Sequence, residues 1–273
     1  MPSLWHQCLR GTFSAFEYAH SKNPVPNENW IATPIRAEKR RSLAKPSEVE
    51  VWQKYLDDLK SHADPVRAAE KARYHKVERE YLGIGNPVLG DLAKAWRQDL
   101  TVEDRVSLAR ALWNTDIHEA RVTAAKLLTQ ARIRPDEAVW QLIESWVPDF
   151  NAWAIADHAC MAGQRRLIAD PDRLDKVEEW TRSDHMWTRR AALVITLPWT
   201  KQNNPKPDEL AARDRILSWA KGYVHDREWF IQKAVAWWLR ELSKHDRGRV
   251  VAFLESHGEQ MKPFARREAG KYL

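Results

Sequence analysis

From Trp52 onward the apolar residues of this chain recur at helical spacing, as in Trp52, Tyr55, Leu56 and Leu59. No segment sustains the alternation of apolar and polar residues that marks a half-buried strand. The pattern predicts a first helix opening at Pro46, with Ser47 and Glu50 as a capping box. A second is expected over Asp64–Glu80, ending at the turn Gly83-Ile84-Gly85-Asn86-Pro87, and a third over Pro87–Arg97. Further helical runs fall near 101–113, 116–131, 135–147, 151–162, 173–182, 185–198, 208–224, 227–244, 247–257 and 261–272. Short turn-like separators divide them, among them Asn114-Thr115-Asp116, Asp170-Pro171-Asp172 and Asn203-Asn204-Pro205. Thr101 with Asp104 completes a second capping box. The fold class this predicts is all-α.

Several of these helices resemble one another. Ala120-Arg121-Val122-Thr123-Ala124-Ala125 is similar to Trp187-Thr188-Arg189-Arg190-Ala191-Ala192, and that to Phe230-Ile231-Gln232-Lys233-Ala234-Val235. The frames at Trp153, Trp187 and Phe230 lie 34 and 43 residues apart, the length of a HEAT- or armadillo-type helix pair. The small residues let neighbouring helices approach closely, and the basic residue beside them is expected on the opposite side. Stacked pairs of this kind make a curved α-solenoid whose second helices line a concave face.

Composition adds two facts. The formal net charge is +6, which makes an acidic partner such as nucleic acid plausible. Tryptophan is abundant, 15 residues against 6 each of Tyr and Phe, and its flat π-face suits both packing and stacking on bases or cations. For each Trp the alternative to a site role is the core between repeats, Trp219 and Trp238 most of all. Cys8 and Cys160 sit in no disulfide framework or metal-spaced pattern. No apolar run reaches 18 residues and no signal-peptide core opens the chain, so the cytosol or nucleoid is the expected compartment. Residues 1–45 read as a flexible or loosely docked extension ahead of a repeat domain over 46–273. Their basic run Arg36–Lys45 could serve as an arm on DNA.

Motifs for phosphate cradles, GxSxG nucleophiles, HExxH metal sites and zinc-spaced His/Cys clusters are all missing. The pairs His118-Glu119 and Asp157-His158 point in different directions on a helix, so neither makes a metal site by itself. What remains lies on the second helices. In Phe150-Asn151-Ala152-Trp153-Ala154-Ile155-Ala156-Asp157, Trp153 and Asp157 share one helix face a turn apart. By itself Asp157 is either tied into a local hydrogen bond or looks into a cleft, and the plainest reading is a surface carboxylate on a short helix. Trp187, Arg189 and Arg190 lie on the next such helix, and Lys233, Trp237, Trp238 and Arg240 on a third. Together they predict a basic, Trp-lined groove carrying one carboxylate, suited to a nucleic-acid backbone.

The run from about Trp52 to Leu273 resembles the AlkD-type DNA alkylation repair proteins, HEAT-like-repeat DNA glycosylases. Glu228-Trp229-Phe230-Ile231-Gln232-Lys233-Ala234-Val235-Ala236-Trp237-Trp238-Leu239-Arg240-Glu241 is similar to the family's FFIQKAIGWxLRE segment. Ala72-Arg73-Tyr74 with Leu82-Gly83-Ile84, Trp187–Ala192, and Arg267-Glu268-Ala269 resemble its ARY…LGI, WxxRAA and REA segments. Ala152 stands where the family often has a further Trp, and Ala236 where it has Gly. The resemblance implies a monofunctional enzyme that hydrolyses the N-glycosidic bond of 3-alkyladenine and 7-alkylguanine in duplex DNA, leaving the base unflipped. It implies Asp157, Trp153 and Trp237 as the catalytic set and Tyr74 and Arg190 as DNA contacts. Lys233, Trp187, Arg189 and Arg240 are expected to help hold the duplex. No metal or cofactor is required, and a monomer is expected. A non-catalytic protein that binds DNA structures is the alternative, and a protein-binding adaptor a third.

Overall fold

The computed structural model describes residues 48–273, with side chains from Trp52. The extension 1–45 and the expected Ser47 cap lie outside the described residues. Among the described residues thirteen α-helices follow one another and no strand occurs. They are α1 Glu48–Ser61, α2 Pro65–His75, α3 Asn86–Asp99, α4 Val102–Asn114, α5 His118–Leu127, α6 Glu137–Trp146 and α7 Trp153–Ala169. There follow α8 Leu174–Trp180, α9 Met186–Ile195, α10 Pro207–Gly222, α11 Trp229–Ser243, α12 Arg247–His257 and α13 Pro263–Ala269. None is long and apolar enough to cross a membrane.

The order of packing is that of a helical-repeat stack. α3 packs on α5, α5 on α7, α7 on α9, α9 on α11 and α11 on α13, forming one continuous layer. α4, α6 and α8 pack on α5, α7 and α9 from the other side, α10 on α9 and α12 on α11. The small residues of the repeated frame make this possible. Ala124, Ala125, Ala191, Ala192, Ala234 and Ala236 are all buried, so the helices of the layer meet across small side chains. Polar pairs bind one repeat to the next, including Arg173–Asp136 at 2.9 Å, Arg189–Asp226 at 3.1 Å and Arg213–Asp246 at 3.1 Å. The tryptophans sort by burial as well. Trp219 and Trp238 lie in the core with Trp96, Trp113, Trp140, Trp146, Trp180 and Trp199.

Two helix ends differ from the sequence expectation by five residues or more, each for a tertiary reason. α2 stops at His75 instead of Glu80, because Lys76 takes a left-handed conformation with φ 55°. The chain beyond it is drawn onto α5 by Glu119, a fully buried carboxylate. Glu119 accepts hydrogen bonds from the backbone of Leu82 (2.7 Å) and Gly83 (3.0 Å) and pairs with Lys71 at 2.8 Å. Lys71 also donates to the Ile84 carbonyl. Gly83 has φ +77°, and a Cβ there would lie 2.2 Å from the Asp64 carbonyl oxygen, so the turn requires glycine. In the second case α7 runs through Gly163 to Ala169. A Cβ at Gly163 would sit 2.5 Å from the Ile195 side chain, so this glycine is an approach point for α9 and not a helix stop. The Thr101 capping box forms as expected, with Thr101 Oγ1 accepting from Asp104 N at 3.1 Å.

Candidate active site

α7 opens at Trp153 after an extended Ala152 whose side chain caps nothing. Ala154, Ala156 and Ala159 seat the helix in the core. Trp153 and Asp157 are each only partly buried, one turn apart on the same side of α7. Asp157 retains 16% side-chain exposure. From α9, Arg190 reaches across with a two-pronged grip: Nη1 donates to Asp157 Oδ1 at 2.5 Å and Nη2 to Oδ2 at 3.2 Å. The Arg190 side chain is 2% exposed, and its guanidinium lies 5.8 Å from the centre of the Trp187 ring.

Arg190 is thus buried against Asp157 instead of standing open to solvent. Its charge lies beneath the carboxylate, because an arginine fork matches a carboxylate in both geometry and charge. Burial pushes the Asp157 carboxyl above the ordinary Asp range, and the charge and hydrogen bonds of Arg190 work against that. Each carboxylate oxygen keeps a lone pair that Arg190 does not occupy.

Arg189 and Arg240 are also committed inside the protein. Arg189 pairs with Asp226 at 3.1 Å and donates to the carbonyls of Ser183 and Asp184 at 2.9 Å. Arg240 pairs with Glu241 at 3.2 Å and with Glu268. Both act as ties between helices, and their charges are largely balanced by these partners. Lys233 lies with its ammonium 4.9 Å from the centre of the Trp229 ring. Trp187 is partly buried, its ring 4.6 Å from Phe230. Trp237, also partly buried, stands on α11, one helix beyond α9 from Asp157.

Tyr74, at the end of α2, is 50% exposed and meets Trp153 edge-on, with ring centres 6.1 Å apart. Behind them is a group that sequence reading did not single out for a site role. His75 lies 5.5 Å from Trp153, stacks on Tyr81 at 5.9 Å and lies 4.6 Å from His118. His118 in turn stacks on Tyr81 at 5.0 Å. The only local signal was the His118-Glu119 pair, and long-range packing gives each a separate task. Glu119 holds the Leu82-Gly83 turn, while His118 stacks under the wall that carries Trp153.

The histidines of this region are held neutral. Burial, aided by His75, Lys71, Arg79 and His158, pushes His118 down to about 2. Burial and Lys71 bring His75 to about 4, with Glu119 opposing and Arg79 assisting. His158, beside Asp157 on α7, falls to about 3 through burial, Lys126 and Lys71. The unfolded chain therefore takes up these protons below about pH 6.5 while the folded chain does not. Stability is complete above that pH and falls as the solution is acidified toward the folded-state values. For His118, 4% exposed, the loss is about 1.4 kcal/mol per pH unit once below about pH 5.5. Urea midpoints from pH 7 to 4.5 should decline steeply, and His118→Phe should flatten the slope by that amount. An unchanged slope in the variant would show that His118 is not among the groups responsible.

Fold and site define a helical-repeat protein with a partly buried carboxylate, clamped by arginine and neighboured by tryptophan. The chain belongs to the DNA alkylation repair enzyme family, whose pattern matches residues 55–273. It is similar in fold to a solved protein from Enterococcus faecalis described as a predicted DNA alkylation repair enzyme. That likeness has a TM-score of 0.65 at 23% identity and covers 78% of this chain and 97% of the other. It is also similar in fold to AlkD2 from Streptococcus mutans, with a TM-score of 0.57 at 18% identity, covering 81% of this chain and 99% of that one. No curated protein sequence matches the chain.

Proposed function

We propose that the protein is a monofunctional DNA glycosylase. It excises purines made cationic by N3- or N7-alkylation, leaving the base within the duplex. The observation that carries this reading is Asp157, still partly open to solvent yet gripped through both oxygens by a buried arginine. Alkylation at N3 or N7 makes the base a good leaving group without further protonation. The remaining demand is to stabilise positive charge on the deoxyribose as the glycosidic bond breaks, and to place a water.

Asp157 can meet both needs if it is ionised and its free lone pairs face the sugar. The Arg190 fork favours the ionised form and fixes the plane of the carboxylate. Trp153 and Trp237 offer π-faces to the cationic nucleotide, at roughly 0.5–2 kcal/mol each. Tyr74 and Lys233 would help hold the duplex. No step calls on a metal or cofactor, and the site would act as a monomer on cytosolic or nucleoid DNA.

The test is release of free base from duplexes carrying 7-methylguanine or 3-methyladenine, with chelator present. Steady release at neutral pH is expected. Tight duplex binding with no release of either base would favour a non-catalytic DNA-binding protein.

A further inference from the structure

Of the tryptophans among the described residues, eight are buried, four are partly buried and one, Trp229, is exposed. Its 48% exposure is unusual for the largest apolar side chain in a protein whose other tryptophans are mostly enclosed. Nor does the ring hang loosely in water. It meets Phe230 edge-on at 4.9 Å and stacks against Phe264 of α13 at 5.8 Å, with Lys233 over it at 4.9 Å. Phe230 continues the contact to Trp187 at 4.6 Å, and Trp187 covers Arg190. An aromatic ridge thus runs from the Asp157–Arg190 pair across α9 and α11 to α13. Its outer end is a rigid, amphipathic indole beside an ammonium group.

Along α11, Trp229, Lys233 and Trp237 follow one another at four-residue intervals, and so share one side of the helix. Trp229 lies roughly 12 Å along the axis from Trp237. At about 3.4 Å per nucleotide, that distance corresponds to roughly three or four nucleotides of a DNA strand.

Resting on the reading that duplex DNA is the substrate, we propose that Trp229 and Lys233 form a contact for the strand flanking the lesion. The indole lies against a deoxyribose three or four nucleotides from the lesion, and Lys233 takes the adjoining phosphate. Charge complementarity selects this occupant, since the apolar ring carries a cation over it. A flat ring with a neighbouring cation matches a sugar-phosphate unit, whose ring is weakly apolar and whose linker is anionic. The ring is already ordered by Phe230 and Phe264, so little freedom is lost when DNA covers it.

The experiment measures binding of the full chain to undamaged and 7-methylguanine duplexes across a range of salt, for wild type, Trp229→Ala, Trp229→Phe and Lys233→Gln. Trp229→Ala should weaken binding to both duplexes roughly tenfold. Trp229→Phe should restore most of that loss. Lys233→Gln should lower the slope of log affinity against log salt by about one. Unfolding midpoints of the variants check that each is folded, which the exposed position of Trp229 favours. If Trp229→Ala binds duplex as tightly as wild type, the contact is wrong, whether or not base is released. If Trp229→Ala weakens binding while wild type releases no base, the contact stands and the glycosylase reading falls.

Discussion

Asp157→Asn should slow release of 7-methylguanine roughly 100- to 1,000-fold while duplex affinity stays within about threefold of wild type. The substitution keeps the size and shape of the side chain, removes its charge and turns one of the two oxygens that accept from Arg190 into an NH2 donor, so unfolding midpoints accompany the rates. Electrostatic stabilisation in a partly closed site is worth far more than in water, and the charge that develops on the sugar is what a carboxylate would balance. The pH profile of the wild-type rate adds a second signature. Burial lifts the Asp157 carboxyl above the ordinary Asp range, so the active, ionised form is lost on acidification at a higher pH than for a free aspartate. The rate should therefore fall on the acid side through a limb that lies above that of a free aspartate, and that limb should vanish in Asp157→Asn. Single-turnover release measured from pH 4 to 8 decides the matter. Undiminished release by the variant would take Asp157 out of the mechanism.

Arg190→Met should do damage of two kinds. Wild-type Arg190 places two donors on Asp157 from a buried position, and removing it leaves a partly buried carboxylate with no cation beside it. Breaking such a pair from one side costs about 3–5 kcal/mol. The loss should appear in the urea midpoint at neutral pH. It should be much smaller when Asp157→Leu is added, because no charge is then left stranded. The second effect is on chemistry. With the cation gone, burial acts on Asp157 unopposed, so its proton is held to still higher pH. The acid limb of base release should shift upward, with activity partly recovered under alkaline conditions. A residue that only propped up the fold would lower stability without moving that limb. A limb that stays in place while stability falls would confine Arg190 to a packing role.

The same pair shows how far the sequence can be read. Helical periodicity, short turn-like separators and the repeated small-residue frames are local properties, and each of the expected helical runs forms in the structure. Trp153 and Asp157 share a side of α7 because i and i+4 must do so on any helix. The burial of Trp219 and Trp238 against the partial exposure of Trp153, Trp187 and Trp237 follows the division expected from sequence.

What sequence could not give was the direction in which each basic residue is spent. Arg189, Arg190, Lys233 and Arg240 look alike as cations on second helices. Their fates depend on carboxylates about 30 residues away in sequence: Asp226 for Arg189, Asp157 for Arg190 and Glu268 for Arg240. Only Lys233 is seated over an exposed ring. The end of α2 at His75 likewise rests on Glu119, a residue on another helix whose buried carboxylate captures the backbone of Leu82 and Gly83.

The sequence by itself thus determined the all-helical class, the repeat and the face shared by Trp153 and Asp157, since these follow from spacing within one helix or between like frames. Only the tertiary structure decided that Asp157 faces a buried guanidinium, and that Trp229 is the tryptophan left exposed among the described residues. Burial and ion pairing are set by which helices meet, and that meeting is not encoded in any one of them.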